Sequence, residues 1–287
     1  MKQLLLLITS ILIVSSCTEK MDVELDSTYT RLSVEAKITT DFKKHFVKLS
    51  ESSDVFFNQD AIPVTNATIQ VNDGTSNFSF EETSPGYYES STEFSGIPGK
   101  TYFLSILNVD LHHNGKLESY EAQSLMPYPH KVDSIAMNYD DNYRNEGNDN
   151  KEYWLLSLYL KDNKENEDYY GFACQINNVL VHDTITEVVI AEDTFFNGEA
   201  SKGVEVGFFD QEKPDEIIRN NDLITLETYA LTEDYLDFVN ELQFMDMEQI
   251  PLFSGPPANI RTNISNNAIG FFAVYSITRT STIVKVE

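Results

Sequence analysis

The chain has 287 residues, with 20 Lys plus Arg against 46 Asp plus Glu and a formal charge of -26. Such a surface repels phosphate backbones, whose binding depends on cationic neutralisation, so nucleic acid is excluded as a partner. With 41% hydrophobic and 12% aromatic residues the chain can build a sizeable core, and its length fits two domains by the usual size prior.

At the N-terminus Lys2 precedes the apolar run Leu4 to Val14, well short of the roughly 20 residues that cross a bilayer as a helix. Residues 1–16 therefore read as a signal peptide. Ser15 and Ser16 stand before Cys17, and Val14-Ser-Ser-Cys17 resembles the lipobox of bacterial lipoproteins. That resemblance implies lipidation of the Cys17 thiol, removal of what precedes it, and a mature protein anchored to a membrane by acyl chains, each buried methylene contributing about 0.8 kcal/mol. Residues 17–28 form an acidic tether with Glu19, Asp22, Glu24 and Asp26. In Bacteroidetes lipoproteins a short acidic stretch at this place is associated with export to the outer face of the outer membrane; a charged tether that simply stays solvated is the alternative. If Cys17 is lipidated, Cys174 is left alone, and the fold is held by its core and not by disulfides.

From there alternation with a period of two predominates. Leu32, Val34, Ala36 and Ile38 mark a first strand, and Phe46, Val47 and Leu49 a second. Thr68 to Val71 runs into Asn72-Asp-Gly74, a tight-turn signal, with Phe78 and Phe80 returning. Pro85-Gly86 predicts another turn, followed by strands at Tyr87 to Ser90, Thr101 to Leu107 and, after Asn114-Gly115, Lys116 to Leu125. This density of short strands reads as an immunoglobulin-like β-sandwich over residues 29–128, ended by Met126-Pro-Tyr-Pro129.

Residues 129–287 read as an antiparallel β domain, a half-open barrel or sandwich, with one packed helix. Strands are expected at Lys131 to Tyr139, Tyr153 to Leu160, Tyr169 to Ile176, Ile185 to Ile190, Gly203 to Phe209, Asp222 to Ala230 and Ile269 to Ile277, with Asp140 to Asn150 a polar loop. Thr232 can cap the helix, Glu233 and Asp234 suit its positive end, and Tyr235, Leu236, Val239 and Leu242 form its apolar stripe.

Several blocks together carry a second resemblance: Val34 to Thr40 with His45 to Ser50, Phe94 to Tyr102, Phe195-Phe-Asn-Gly198, and above all Pro256 to Tyr275. The chain resembles, over nearly its whole mature length, the Bacteroidetes lipoproteins grouped as domain of unknown function 4249. Genes of that family commonly neighbour TonB-dependent outer-membrane receptors, which implies capture or import at the cell surface. The family has no established catalytic residues, so the resemblance transfers no site. Asn266-Asn267 stands where an Asn-Gly turn is expected.

The search for chemistry is mostly negative. Gly99-Lys-Thr101 lacks the earlier glycine of a phosphate loop and leads into a strand. There is no Gly-x-Ser-x-Gly elbow and no His-Glu-x-x-His helix, and the five histidines lack zinc-site spacing. His112-His113 reads as a hairpin tip. Asp140 to Asn150 and Asp162 to Asp168 do not fit a calcium loop, although a site pooled from several loops stays open. Tyr139, Tyr143, Tyr153, Trp154, Tyr159, Tyr169 and Tyr170 are either strand formers or a stacking platform. Cys174, in register with Phe172 and Ile176, reads as a buried thiol. Asp26-Ser-Thr28, Asp133-Ser-Ile135 and Asp183-Thr-Ile185 look like acceptors of Bacteroidetes O-glycosylation.

The expected function is a non-enzymatic surface lipoprotein, an accessory or ligand-capture partner of a TonB-dependent transporter in the outer membrane. A structural or adhesive envelope lipoprotein is the alternative, and a hydrolase with an unrecognised site a further one. No cofactor, metal or catalytic residue is expected, and the ligand is unidentified. The expected site residues are Cys17 for lipidation and the loop bearing Asn259, Arg261 and Asn263, either a structural tie to the final strand or a docking loop.

Overall fold

The computed structural model describes residues 30–52, 61–144, 150–161, 167–181, 184–192, 201–247 and 260–285. The signal peptide, Cys17, the acidic tether and Asn259 lie outside these residues. The described chain is mainly β, with two sheets, one helix and no closed barrel, a β-sandwich-like fold as the alternation predicts.

The first strands follow the sequence pattern closely. β1 (Leu32–Thr39) buries Leu32, Val34, Ala36 and Ile38 and pairs antiparallel with β2 (Phe46–Glu51). β3 (Thr68–Asn72) and β4 (Asn77–Ser84) are joined by a turn wider than two residues, because Asn72 pairs with Asn77. Asp73 shapes this turn: its Oδ1 accepts the N–H groups of Thr75 and Ser76, and its Oδ2 receives the Lys100 ammonium at 2.7 Å. At Pro85-Gly86, by contrast, Ser84 pairs with Tyr87 at the start of β5 (Tyr87–Ser90), and Gly86 takes the positive φ of 71° that such a turn demands. β6 (Thr101–Val109) and β7 (Glu118–Leu125) close the N-terminal run, with His112 and His113 in the turn between them, as expected.

Beyond Met126 to Pro129 come β8 (Val132–Arg144), β9 (Asn150–Leu160), β10 (Tyr169–Ile176), β11 (Val179–Val181), β12 (Val189–Glu192), β13 (Val204–Asp210) and β14 (Leu223–Leu231). Helix α1 (Glu233–Met247) and β15 (Ile269–Ile283) complete the order. Four details differ from the sequence reading. β8 continues through Asp140 to Arg144, where a loop was expected, because an edge strand can carry polar side chains while its backbone still pairs with β9. β11 was not foreseen; Asn177 and Asn178, both at positive φ, turn β10 back into it. Thr184 to Glu187 forms a turn, its Thr184 hydroxyl donating to Glu187, so the strand expected from Ile185 starts only at Val189. β15 runs to Ile283 because β14 pairs with it along that length.

The larger sheet has the order β11-β10-β14-β15-β1-β2-β5-β4-β3-β6-β7, with β12 also on β10; β13-β9-β8 form the smaller one. The strands expected as two segments, 29–128 and 129–287, thus meet at the parallel pairing of β1 with β15, Val34 opposite Gly270. One core gathers the inward residues of β1 to β7 together with Ile264, Ala268, Phe272 and Val274 from the end of the chain. A second lies between the small sheet and β10 and β14, built on Trp154, Leu156, Leu158, Phe172 and Phe209. A third packs α1 on the sheet through Tyr235, Leu236, Phe238 and Val239. Thr232 caps α1 as expected, accepting at its backbone oxygen from Leu236 and at its hydroxyl from Tyr235.

His45 is buried at the start of β2, its Nε2 donating to the Phe94 carbonyl at 2.9 Å and its ring 4.5 Å from that of Phe94. Nδ1 finds no partner among the described residues. Burial pushes the imidazole down to about 4 from its ordinary 6.5, the Phe94 hydrogen bond only partly opposing it. The unfolded chain takes up this proton near 6.5 and the folded chain only near 4, so the stability it carries is complete above pH 6.5 and is lost as the pH falls to 4. The loss approaches about 3 kcal/mol. Urea midpoints measured across this window are expected to fall less steeply for His45→Phe than for the wild type.

Candidate functional site

A cavity opens where β13, the edge of the small sheet, approaches β10. A bulge between Glu205 and Gly207 interrupts the ladder to β9. Gly207 is needed here because an added Cβ would come within 2.9 Å of the Cys174 sulfur and 3.1 Å of Leu156 Cβ. The bulge re-aims the strand and leaves a slot of about 370 Å³ with Phe172, Val189, Val206 and Phe208 along its apolar wall.

Its other end is polar. Asp210, at the end of β13, and Glu216, in the following turn, are both about 5% exposed. Asp210 Oδ1 accepts from the Glu212 N–H at 2.9 Å, and Oδ2 from the Tyr153 hydroxyl at 3.2 Å and the Lys151 ammonium at 3.5 Å. Burial alone would raise its carboxyl, but these donors outweigh it and hold the group below the usual carboxylate range. Glu216 Oε2 accepts from the Asp210 N–H at 2.7 Å, and Oε1 from the Lys213 ammonium at 2.8 Å. Gln211 braces the same turn by donating to the carbonyls of Phe209 and Glu216 and accepting from Ile218 N–H. The carboxylates are thus anchored to backbone at one oxygen and turned to cations at the other. Cys174 lines the slot fully buried, its thiol pushed up to about 12 by burial, and so stays protonated at neutral pH, the structural thiol that its register predicted. The site is an apolar slot whose polar end carries two buried carboxylates, each facing a lysine ammonium.

A smaller cavity of about 150 Å³ lies against α1, with Tyr229, Tyr235 and Tyr275 on its walls. Nearby, Arg279 joins Asp41, through two bonds of 2.6 and 2.8 Å, to Glu227 at 2.7 Å; Glu227 also receives Gln175 and Tyr229. This network ties β10, β14, β15 and the bend after β1 together.

Of the loop residues singled out in the sequence, Asn263 lies against β15. Its side-chain oxygen accepts from Phe272 N–H at 2.9 Å, and its amide donates to the Phe272 carbonyl at 2.9 Å and to Gln123 O of β7 at 3.3 Å. The side chain thereby imitates a strand neighbour, while Ser265 and Asn266 make further ties to Glu121 and Ser119 of β7. Arg261 turns to α1, donating from its backbone N and Nε to Glu241 and from Nη1 to Asp237. Asn263→Ala is expected to cost about 1–3 kcal/mol by orphaning Phe272's backbone groups, whereas Arg261→Ala, which removes two partly exposed ion pairs, is expected to cost under about 1 kcal/mol. Thermal unfolding of the two variants checks the order.

Of the aromatic residues considered as a platform, Tyr153, Trp154 and Tyr170 are buried, and Tyr139 is exposed with its ring 5.3 Å from Trp154. Among the described residues no three His, Cys, Asp or Glu side chains converge in a metal-binding group. No described helix is long and apolar enough to cross a membrane. The Asp210 to Glu216 turn went unremarked in the sequence; the run Asp210-Gln-Glu-Lys-Pro-Asp-Glu216 after a strand is its only trace.

None of the curated proteins compared matches this chain. A family model described as a domain of unknown function (DUF4249) matches residues 18–281. Nearly the whole chain after the N-terminal apolar run is covered, and the protein belongs to the DUF4249 family.

Proposed function

We propose that this protein is a lipid-anchored outer-membrane lipoprotein of Bacteroidetes type that captures a small ligand and hands it to a TonB-dependent transporter. The observation that carries the ligand-capture part is the slot between β13 and β10, with an apolar wall and a braced polar end. The anchoring part rests on Cys17 behind its short apolar run and on the family resemblance. Asp210 and Glu216 are tied to backbone groups, and the Cys174 thiol is held protonated, so the slot's groups favour holding a molecule over transforming it.

The reading is tested by comparing wild type and Cys17→Ala for detergent partitioning and for co-purification of an outer-membrane receptor. The wild type is expected in the detergent phase with a receptor, and the variant either unprocessed or in the aqueous phase. An acylated, membrane-bound Cys17→Ala variant would overturn the anchoring, and a wild type that brings down no receptor would overturn the partnership.

A further inference from the structure

We infer that the slot beside β13 takes an organic cation with an apolar body, and that Lys213 stands in for the ligand's cationic group. This rests on the ligand-capture reading. The slot's charged lining is Asp210, Glu216 and Glu187 against the single ammonium of Lys213. Lys151 is already engaged by Asp210 and, at 3.0 Å, by Glu212. Lys213 is itself an occupant that reaches in from solvent: its side chain is 57% exposed, whereas its partner Glu216 is 5% exposed. The carboxylate is fixed by the Asp210 N–H, and the ammonium reaches it from solvent on a flexible stem.

An incoming ammonium can therefore replace the Lys213 ammonium on Glu216 Oε1 without leaving a buried charge unpaired, which an anionic group could not do. Its hydrocarbon part would lie along Phe172, Val206 and Phe208. The chain's formal charge of -26 raises the local concentration of cations and repels anions of the same shape.

The test uses the full lipidated chain in detergent and three probes of nearly equal size: 2-phenylethylamine, 2-phenylethanol and 3-phenylpropionate, with binding read by calorimetry. The amine is expected to bind, the alcohol more weakly and the carboxylate not at all. Lys213→Met, which leaves Glu216 Oε1 without its ammonium until the amine supplies one, is expected to tighten amine binding about fivefold by removing the competitor. Glu216→Gln, whose amide oxygen can still accept from the Asp210 N–H, is expected to abolish the preference for the amine over the alcohol. Binding of the alcohol or the carboxylate as tight as that of the amine overturns the cation assignment and leaves ligand capture standing. Failure of all three probes to bind overturns the cation assignment and removes the slot as the capture site. Unchanged or weaker amine binding in Lys213→Met also overturns the role given to Lys213.

Discussion

Gly270→Ala is expected to leave the chain without its native sheet. Gly270 sits in β15 at a φ of 92°, opposite Val34 in the parallel pairing with β1. A Cβ there would overlap the Val34 carbonyl oxygen and crowd its backbone nitrogen and carbon, and these are atoms of a strand paired on both edges. Two penalties therefore add. The left-handed backbone costs an L-residue about 1–2 kcal/mol, and relief of the overlap requires β1 and β15 to part, which places the total above about 4 kcal/mol. Gly74→Ala separates the two effects, because Gly74 has a φ of 83° but nothing within 4 Å of an added Cβ. It is expected to lose only about 1–2 kcal/mol and to unfold cooperatively. Urea titrations followed by circular dichroism distinguish the cases; a Gly270→Ala protein as stable as Gly74→Ala would show that the two strands can separate cheaply.

The second large effect is expected from truncation. A chain ending at residue 128 retains β1 to β7 but loses Ile264, Ala268, Phe272 and Val274 from the core those strands enclose. The three larger side chains alone bury apolar surface equivalent to roughly 5–9 kcal/mol, on the order of the whole stability of a domain. β1 also loses its parallel neighbour, and the edge of β7 loses the ties from Asn263, Ser265 and Asn266. Residues 29–128 alone are therefore expected to show poorly dispersed amide resonances and no cooperative unfolding. Supplying residues 129–287 in trans is expected to restore both. A fragment that melts cooperatively by itself would show that the closing segment is dispensable.

Local physics made much of the fold legible in the sequence. The alternation of Leu32, Val34, Ala36 and Ile38 implies one buried face whatever lies beyond it, and Pro85-Gly86 turns the chain because of its own backbone preferences. Thr232 and the apolar stripe after it mark the helix for the same reason. Asn263 could be assigned a bracing role because asparagine imitates backbone, although the atoms it braces, in Phe272 and Gln123, could not be named. Reading Asp140 to Arg144 as loop failed because polarity reports exposure, and an edge strand can be exposed.

What only the tertiary structure decided was which distant segments meet. No periodicity tells Gly270 that its neighbour is Val34, and the parallel pairing of the first and last strands depends on cores that exist only once both are in place. The candidate slot belongs to the same class. Asp210, Lys213 and Glu216 carry no signal of a site in the sequence, and Phe172 and Val206 read as ordinary strand residues. They become one site because the bulge at Gly207 turns an edge strand toward β10, leaving between the two sheets a space that no single segment encodes.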